Sequence, residues 1–353
     1  MRAVLAGFTF VFALALSLSA PLWARDGAYQ AGLRQITVPS PARGADLNVT
    51  LWYPAAPGGA RALIGDTVFF SGTEAWRGAP FADGRFPLIM LSHGAGLAGS
   101  GEAMSWIATP LAEAGFIVVA PTHPGNTGPD RSAAETMKLW LRSQDISATL
   151  DAVTAAPELE LHLAEGAIGA LGLSMGGSTA LMLAGARLDP ERLASYCDTD
   201  DLNPSLCAWV RLSGVDLRQM DTNAAGGDYR DPRIRFAMAI DPAPVDVLAP
   251  QSFGDVTIPV ALVNLGTAES IPATVQAAPV AQAMAAATYQ TLPEASHNSM
   301  FAECKPGAAQ LAVDEGIEDP ICDDGGGRPR AALHAEIIEM AREAFTTALK
   351  PGG

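Results

Sequence analysis

"AIGALGLSMGGSTALMLAG", Ala167 to Gly185, joins an apolar run of strand type to a helix of small residues across Gly172-Leu173-Ser174-Met175-Gly176. A glycine two residues before the serine and another two after it has a mechanical meaning. A strand that turns abruptly into a helix forces the residue between them into a strained conformation, and only small neighbours let the helix pack against the strand. The serine hydroxyl then stands above the sheet, and the next backbone N–H faces the same point. The G-x-S-x-G spacing alone is weak, because a glycine-rich turn with an idle serine has it too. Flanked by a strand before and a helix after, it points to a nucleophile.

The flanking chain extends the same rhythm. "FPLIMLSHGAG" (Phe86–Gly96) and "GFIVVAPTHPGN" (Gly115–Asn126) are continuous apolar strands that end in loops, and "GEAMSWIATPLAEA" between them has helical spacing. "LNVTLWYPA" (Leu47–Ala55) alternates like a half-buried strand. "AETMKLWLRSQDISATLDAVTAA" (Ala134–Ala156) predicts one long amphipathic helix. Beyond the serine come three strand candidates, "RFAMAID" (Arg235–Asp241), "IPVALVNLG" (Ile258–Gly266) and "TYQTLPEA" (Thr288–Ala295), then a closing helix, "AALHAEIIEMAREAFTTAL". Continuous apolar strands separated by helices predict an α/β fold with a mostly parallel central sheet and helices on both faces. Residues 188–233 break the rhythm with polar, turn-forming sequence and predict a small, partly helical cap inserted into that domain.

A serine nucleophile needs a base, and the base an orienting carboxylate. Where such a turn carries the nucleophile, the chain order is serine, acid, histidine. Of the five histidines, only His297 and His334 follow Ser174 far enough along the chain. His334 lies inside the closing helix and reads as a surface or packing residue. His297, in "LPEASHNSMF", follows the last strand candidate, where a base would hang above the sheet. Two acids fit. Asp241 ends an apolar strand and precedes a proline turn, and Glu269 follows the next strand in "VNLGTAESIP"; spacing does not separate them. For the oxyanion, one donor is the backbone N–H of Met175, and "SHGAG" (Ser92–Gly96) supplies the other from Ala95. His93 reads as a brace for that loop.

Composition sets the setting. The chain has 353 residues, enough for one large α/β domain. Apolar residues are 49% and charged residues 17%, which excludes a disordered chain. A net charge of -16 disfavours nucleic acid and anionic membrane surfaces as partners. Arg2, the uncharged run Ala3–Leu18, Pro21 and the small Ala24 before Arg25 read as a signal peptide over residues 1–24, leaving 25–353 as the exported domain; an uncleaved anchor is the rival. Secretion or export to the periplasm implies an oxidising compartment. Cys197, Cys207, Cys304 and Cys322 are expected to pair locally, Cys197 with Cys207 and Cys304 with Cys322. No CxxC pair suggests a metal site, so no metal or organic cofactor is expected.

Taken together, these motifs resemble the dienelactone-hydrolase-like branch of the α/β-hydrolases, close to the platelet-activating-factor acetylhydrolases of the plasma type. The resemblance runs from Leu47 to Phe301. It rests on "LWYPA", "PLIMLSHGAG", "GFIVVAPTHPGNT", "RSQDISATLD", "GLSMGGSTAL", "AIDPAP" and "ASHNSMF". It implies an α/β-hydrolase fold, and it selects Asp241 over Glu269, since the family's acid follows the strand after the nucleophile helix. It likewise implies Ala95 and Met175 as oxyanion donors. The chain departs from the family at Leu173, where a histidine is usual, and in using serine where dienelactone hydrolases use cysteine. The expectation is therefore an exported serine hydrolase that cleaves a small-molecule or lipid carboxylic ester through an acyl-enzyme. A peptidase or amidase of the same fold, or a catalytically idle binding protein, are the alternatives.

Overall fold

The continuous apolar runs become the middle of one sheet. The structure, a computed structural model, describes residues 29–127, 130–317 and 319–350, so the expected signal peptide lies outside the described residues. The strands are β1 (Gln30–Ser40), β2 (Ala45–Ala55), β3 (Ala60–Ile64), β4 (Thr73–Arg77), β5 (Phe86–Ser92), β6 (Ile117–Pro121), β7 (Leu163–Leu173), β8 (Phe236–Ile240), β9 (Val260–Leu265) and β10 (Ala287–Leu292). Their order across the sheet is β10-β9-β8-β7-β5-β6-β2-β1-β4-β3. From β10 to β6 every neighbour pair is parallel. β2 runs antiparallel to both β6 and β1. β5, β6 and β8 are buried at every position, which is why they read as unbroken apolar runs. The fold is that of an α/β-hydrolase, a mostly parallel central sheet flanked by helices.

The helices are α1 (Ser105–Glu113), α2 (Ala133–Met137), α3 (Leu139–Ala155), α4 (Pro157–Glu160), α5 (Met175–Ala184), α6 (Pro190–Ser195), α7 (Pro204–Leu212), α8 (Ala278–Gln282), α9 (Ala308–Asp314) and α10 (Arg330–Ala348). Alternation along each strand divides the core in two. Leu88 and Met90 of β5 pack with Leu139, Ile146 and Leu150 of α3 and Leu181 of α5. Ile89 and Leu91 pack with Ile107 and Leu111 of α1 and Ile337 and Phe345 of α10. No helix among the described residues is long and apolar enough to cross a membrane.

The single helix expected over Ala134–Ala156 is instead two, broken at Lys138 with φ -77° and ψ 61°. In one continuous helix Met137 and Leu139 would face opposite ways. The break lets Met137, Leu139 and Trp140 all be buried. Nor is α3 simply amphipathic, because its buried face carries Arg142, Ser143, Asp145 and Thr149 beside its apolar residues. β1, β3 and β4 were not foreseen. β3 and β4 are largely exposed, so they lack an apolar signature. Residues 188–233 contain α6 and α7, started by side-chain caps from Asp189 and Asn203. Two disulfides join Cys197 to Cys207 and Cys304 to Cys322.

Candidate active site

Ser174 sits where β7 turns into α5, with φ 54° and ψ -123°. The glycine spacing follows from contact distances. A Cβ on Gly172 would lie 1.9 Å from the Gly176 carbonyl oxygen, and a Cβ on Gly176 would lie 1.8 Å from the Ser92 carbonyl oxygen. Neither position tolerates a side chain. The turn is tied on both sides: Ser174 N–H donates to the Ile240 carbonyl at 3.1 Å, and Ala243 N–H donates to the Ser174 carbonyl at 3.0 Å. Those two partners flank Asp241, so the serine turn and the end of β8 are positioned by one another.

Ser174 Oγ lies 3.1 Å from His297 Nε2. His297 Nδ1 lies 2.8 Å from Asp241 Oδ2. The Asp241 side chain is fully buried, while that of His297 is 32% exposed, so the imidazole is open to a ligand and its partner is not. Asp241 has φ 46° and, with Ser174, is one of two non-glycine residues of positive φ among the described residues. Its second oxygen accepts from Leu265 N–H at 2.8 Å and from Asn264 Nδ2 at 2.7 Å. Asn264 is buried on β9 and is held in turn by the Val275 carbonyl, at 2.7 Å, and by Ala277 N–H, at 2.9 Å. Glu269 is not brought to His297. It lies fully exposed in the turn after β9, and hydrogen bonds from its own backbone and the Thr267 side chain lower its pKa.

His297 opens a helical turn, His297–Met300, closed by a capping box between Ser296 and Ser299. The segment after Cys322 straps this turn down. Ser299 Oγ donates to Asp324 at 2.8 Å, and Ser296 Oγ donates to the Asp323 carbonyl at 2.8 Å. His334 is a packing residue here: it stacks on Trp106 at 3.9 Å and donates through Nε2 to the Ser299 carbonyl at 2.9 Å. Burial lowers its pKa to about 4, so it is neutral at pH 7.

The loop His93–Gly94–Ala95 presses against Ser174: a Cβ on Gly94 would lie 3.2 Å from Ser174 Cβ. Among the described residues neither Ala95 N–H nor Met175 N–H has an acceptor in the chain. Beneath the loop lies a buried polar network. His123 N–H donates to His93 Nε2 at 3.0 Å, which leaves the His93 proton on Nδ1, facing the Gly94 carbonyl at 2.7 Å. Ser92 Oγ donates to His123 Nε2 at 2.9 Å, and His123 Nδ1 donates to Asp145 at 2.9 Å. Arg43 grips Asp145 with Nη2 at 2.8 Å. This second serine–histidine–aspartate array is fully buried and reaches no solvent. Burial first, then the neighbouring His123 and Arg142 for His93 and Arg142 and Arg43 for His123, keep both histidines well below the usual imidazole range. Asn264, Asp145 and Arg142 were missed in the sequence, where each reads as an ordinary position of a strand or helix.

A cavity of about 100 Å³ lies beside the loop, with Phe70, Leu97 and Phe301 on its apolar side and Asp66, Thr67, Ser100 and Glu102 on its polar side. Phe70 and Phe301 stack across it, with centroids 5.4 Å apart. No three His, Cys, Asp or Glu side chains group as a metal site among the described residues.

The profile described as "Alpha/beta hydrolase family" matches residues 88–310, more than half of the chain. The chain belongs to the alpha/beta hydrolase family. The matched span of this alpha/beta hydrolase includes the serine turn, Asp241 and His297. No curated protein matches the chain in sequence. Among solved structures, a ferulic acid esterase from Streptomyces cinnamoneus is similar with a TM-score of 0.59 at 18% identity, over 92% of this chain and 91% of that one. A puromycin-hydrolyzing peptidase of Mycobacterium tuberculosis is similar with a TM-score of 0.50 at 14% identity, over 96% of this chain and 42% of that one. At such identities the likeness is one of fold.

Proposed function

We propose that this alpha/beta hydrolase is an exported serine esterase, of the dienelactone-hydrolase-like branch, that cleaves carboxylic esters. The observation that carries the reading is the unbroken line from Ser174 Oγ to His297 Nε2, at 3.1 Å, and from His297 Nδ1 to Asp241, at 2.8 Å. Ser174 attacks the ester carbonyl while His297 takes its proton. The tetrahedral oxyanion is held by Ala95 N–H and Met175 N–H. Collapse expels the alcohol, which leaves with the proton from His297. Water then attacks the acyl-enzyme by the same route in reverse. Asp241 fixes the imidazole tautomer and stabilises its cationic form. Serine in place of cysteine at position 174 favours an ordinary carboxylic ester over a dienelactone as the substrate. The cavity lined by Phe70 and Phe301 is compact and, with Asp66 and Glu102 also on its wall, suits a small group with a polar edge on one side of the ester. The two disulfides are compatible with export to the periplasm or the medium.

A fluorophosphonate probe tests the reading. Folded protein is expected to be labelled at Ser174, as mapped by peptide mass, and to turn over short nitrophenyl esters in preference to nitroanilides and to an acetylated phospholipid. Folded protein that takes no label would instead be a binding module. Preferential cleavage of the anilide would make it an amidase or peptidase.

A further inference from the structure

Arg142 is 1% exposed. Its hydrogen bonds all go to neutral oxygens: Nε to Thr179 Oγ1 at 3.3 Å, Nη1 to Asn126 Oδ1 at 3.4 Å, and Nη2 to the His93 carbonyl and, at 3.5 Å, the Gly94 carbonyl. The nearby carboxylate, Asp145, is engaged by Arg43 and His123. A buried guanidinium with only neutral acceptors is destabilising relative to an apolar side chain of the same shape, so packing alone does not account for it. Burial lowers its pKa to about 9, which still leaves a cation at neutral pH.

Where those acceptors lie gives the charge a use. The Gly94 carbonyl is one end of the peptide whose other end is Ala95 N–H. That carbonyl also accepts from His93 Nδ1 at 2.7 Å. The short bond from His93 Nδ1 polarises that amide, and Arg142, bound closely to the His93 carbonyl and at the edge of reach of the Gly94 carbonyl, fixes the plane of the loop, which strengthens the N–H at the amide's far end as a donor. Arg142 reaches the other half of the site as well. Thr179, which accepts from Nε, donates its own hydroxyl to the Met175 carbonyl at 3.0 Å, in the first turn of α5. One guanidinium therefore ties the Gly94–Ala95 peptide to the helix that begins at Met175.

We propose that Arg142 is a positioning residue for ester hydrolysis: by holding the His93 carbonyl while His93 holds the Gly94 carbonyl, it lets the Gly94–Ala95 peptide present a fixed, polarised N–H to the developing oxyanion. The inference rests on the reading of Ser174 as nucleophile. It differs from that reading in its consequence, because Arg142 touches neither Ser174 nor His297. Its loss weakens the transition state while substrate binding and the acid–base pair stay intact.

The test compares wild type, Arg142→Gln, Arg142→Lys and Thr179→Val on a nitrophenyl ester and against an alkylboronic acid, whose tetrahedral serine adduct places an oxygen in the same position. Arg142→Gln is expected to lower kcat about 10²-fold with KM nearly unchanged. Boronate affinity should fall by a similar factor, and the pH midpoint of kcat/KM should stay in place. Arg142→Lys keeps the charge without the fork and is expected to fall in between. Thr179→Val removes one orienting acceptor and should give the same pattern on a smaller scale. A folded Arg142→Gln with wild-type kcat overturns the proposal, as does a fall in kcat without loss of boronate affinity, or a shifted pH midpoint. If Arg142→Gln does not fold, Thr179→Val decides: kcat and boronate affinity falling together support the proposal, and wild-type values for both overturn it. Wild-type protein that neither binds boronate nor labels at Ser174 removes the reading of the site and the inference with it, an outcome distinct from variants that match an active wild type.

Discussion

Ser174 and Asp241 hold left-handed backbone conformations that L-residues avoid, and each is over-determined by its surroundings. For Asp241 the determinants are Leu265 N–H and Asn264 on one oxygen and His297 on the other. Asp241→Asn keeps the shape but favours the wrong imidazole tautomer, so kcat on a short nitrophenyl ester should fall by about 10³- to 10⁴-fold. Glu269→Gln alters only an exposed turn and should cost less than about tenfold. If Glu269→Gln proved the inactive variant, the acid would belong after β9. Asn264 acts on the same carboxylate from behind. A hydrogen bond to a charged group contributes about 1.5–3 kcal/mol, so Asn264→Ala should lower kcat by roughly 10- to 100-fold. Unchanged kcat in folded Asn264→Ala would mean that Leu265 N–H alone orients Asp241. Ser174, His297 and Asp241 were legible in the sequence because each sits at a punctuation point, a glycine-flanked turn or the end of an apolar strand. Asn264 was not, because one amide inside "VALVNL" looks like any strand residue until the fold sets it beside Asp241.

At the scale of elements, the turn that carries His297 is held less by its own residues than by the strap that follows Cys322. Asp323 and Asp324 receive Ser296 and Ser299, and Arg330 ties Asp324 to the carbonyls of Ala302 and Ile321. The Cys304–Cys322 bond closes this strap over a separation of 18 residues. In the chain-entropy model such a loop contributes about 3 kcal/mol. Replacing both cysteines by alanine should therefore lower the thermal midpoint by about 4 °C, given the entropy of unfolding of a chain this long. Calorimetry checks it, and an unchanged midpoint would mean that the strap is held without the crosslink. The local pairing of the cysteines followed from their order, but the strap's attachment to His297 did not, since it joins segments that only tertiary structure brings together. α3 shows the same limit. Its apolar residues were readable as a helix, whereas the break at Lys138 and the inward face of Arg142 and Asp145 depend on what lies beneath.

For the whole molecule, the parallel sheet was legible because strands buried on both faces must be apolar throughout, while β3 and β4 at the exposed edge carry no such signature. The same dense interior sets the response to acid. His93, His123 and His334 are buried with pKa values below the ordinary imidazole value of about 6.5. Below that pH the unfolded chain binds protons that the folded chain refuses, so stability is fully present above about pH 6.5 and is lost as pH falls toward the folded values. The raised carboxyls of Asp145 and Glu113 act in the opposite sense and blunt the fall. Thermal midpoints measured from pH 8 to pH 4 should be level above pH 7 and decline below about 6.5; a midpoint that rises on acidification would contradict the burial of neutral imidazoles. The fold exists, on this account, to hold one hydroxyl against one imidazole, and the most direct test is steady-state ester hydrolysis by Ser174→Ala, with folding checked by circular dichroism. The account predicts wild-type structure and a fall in kcat/KM of about 10³-fold or more. Folded Ser174→Ala that hydrolyses the ester at the wild-type rate would contradict it.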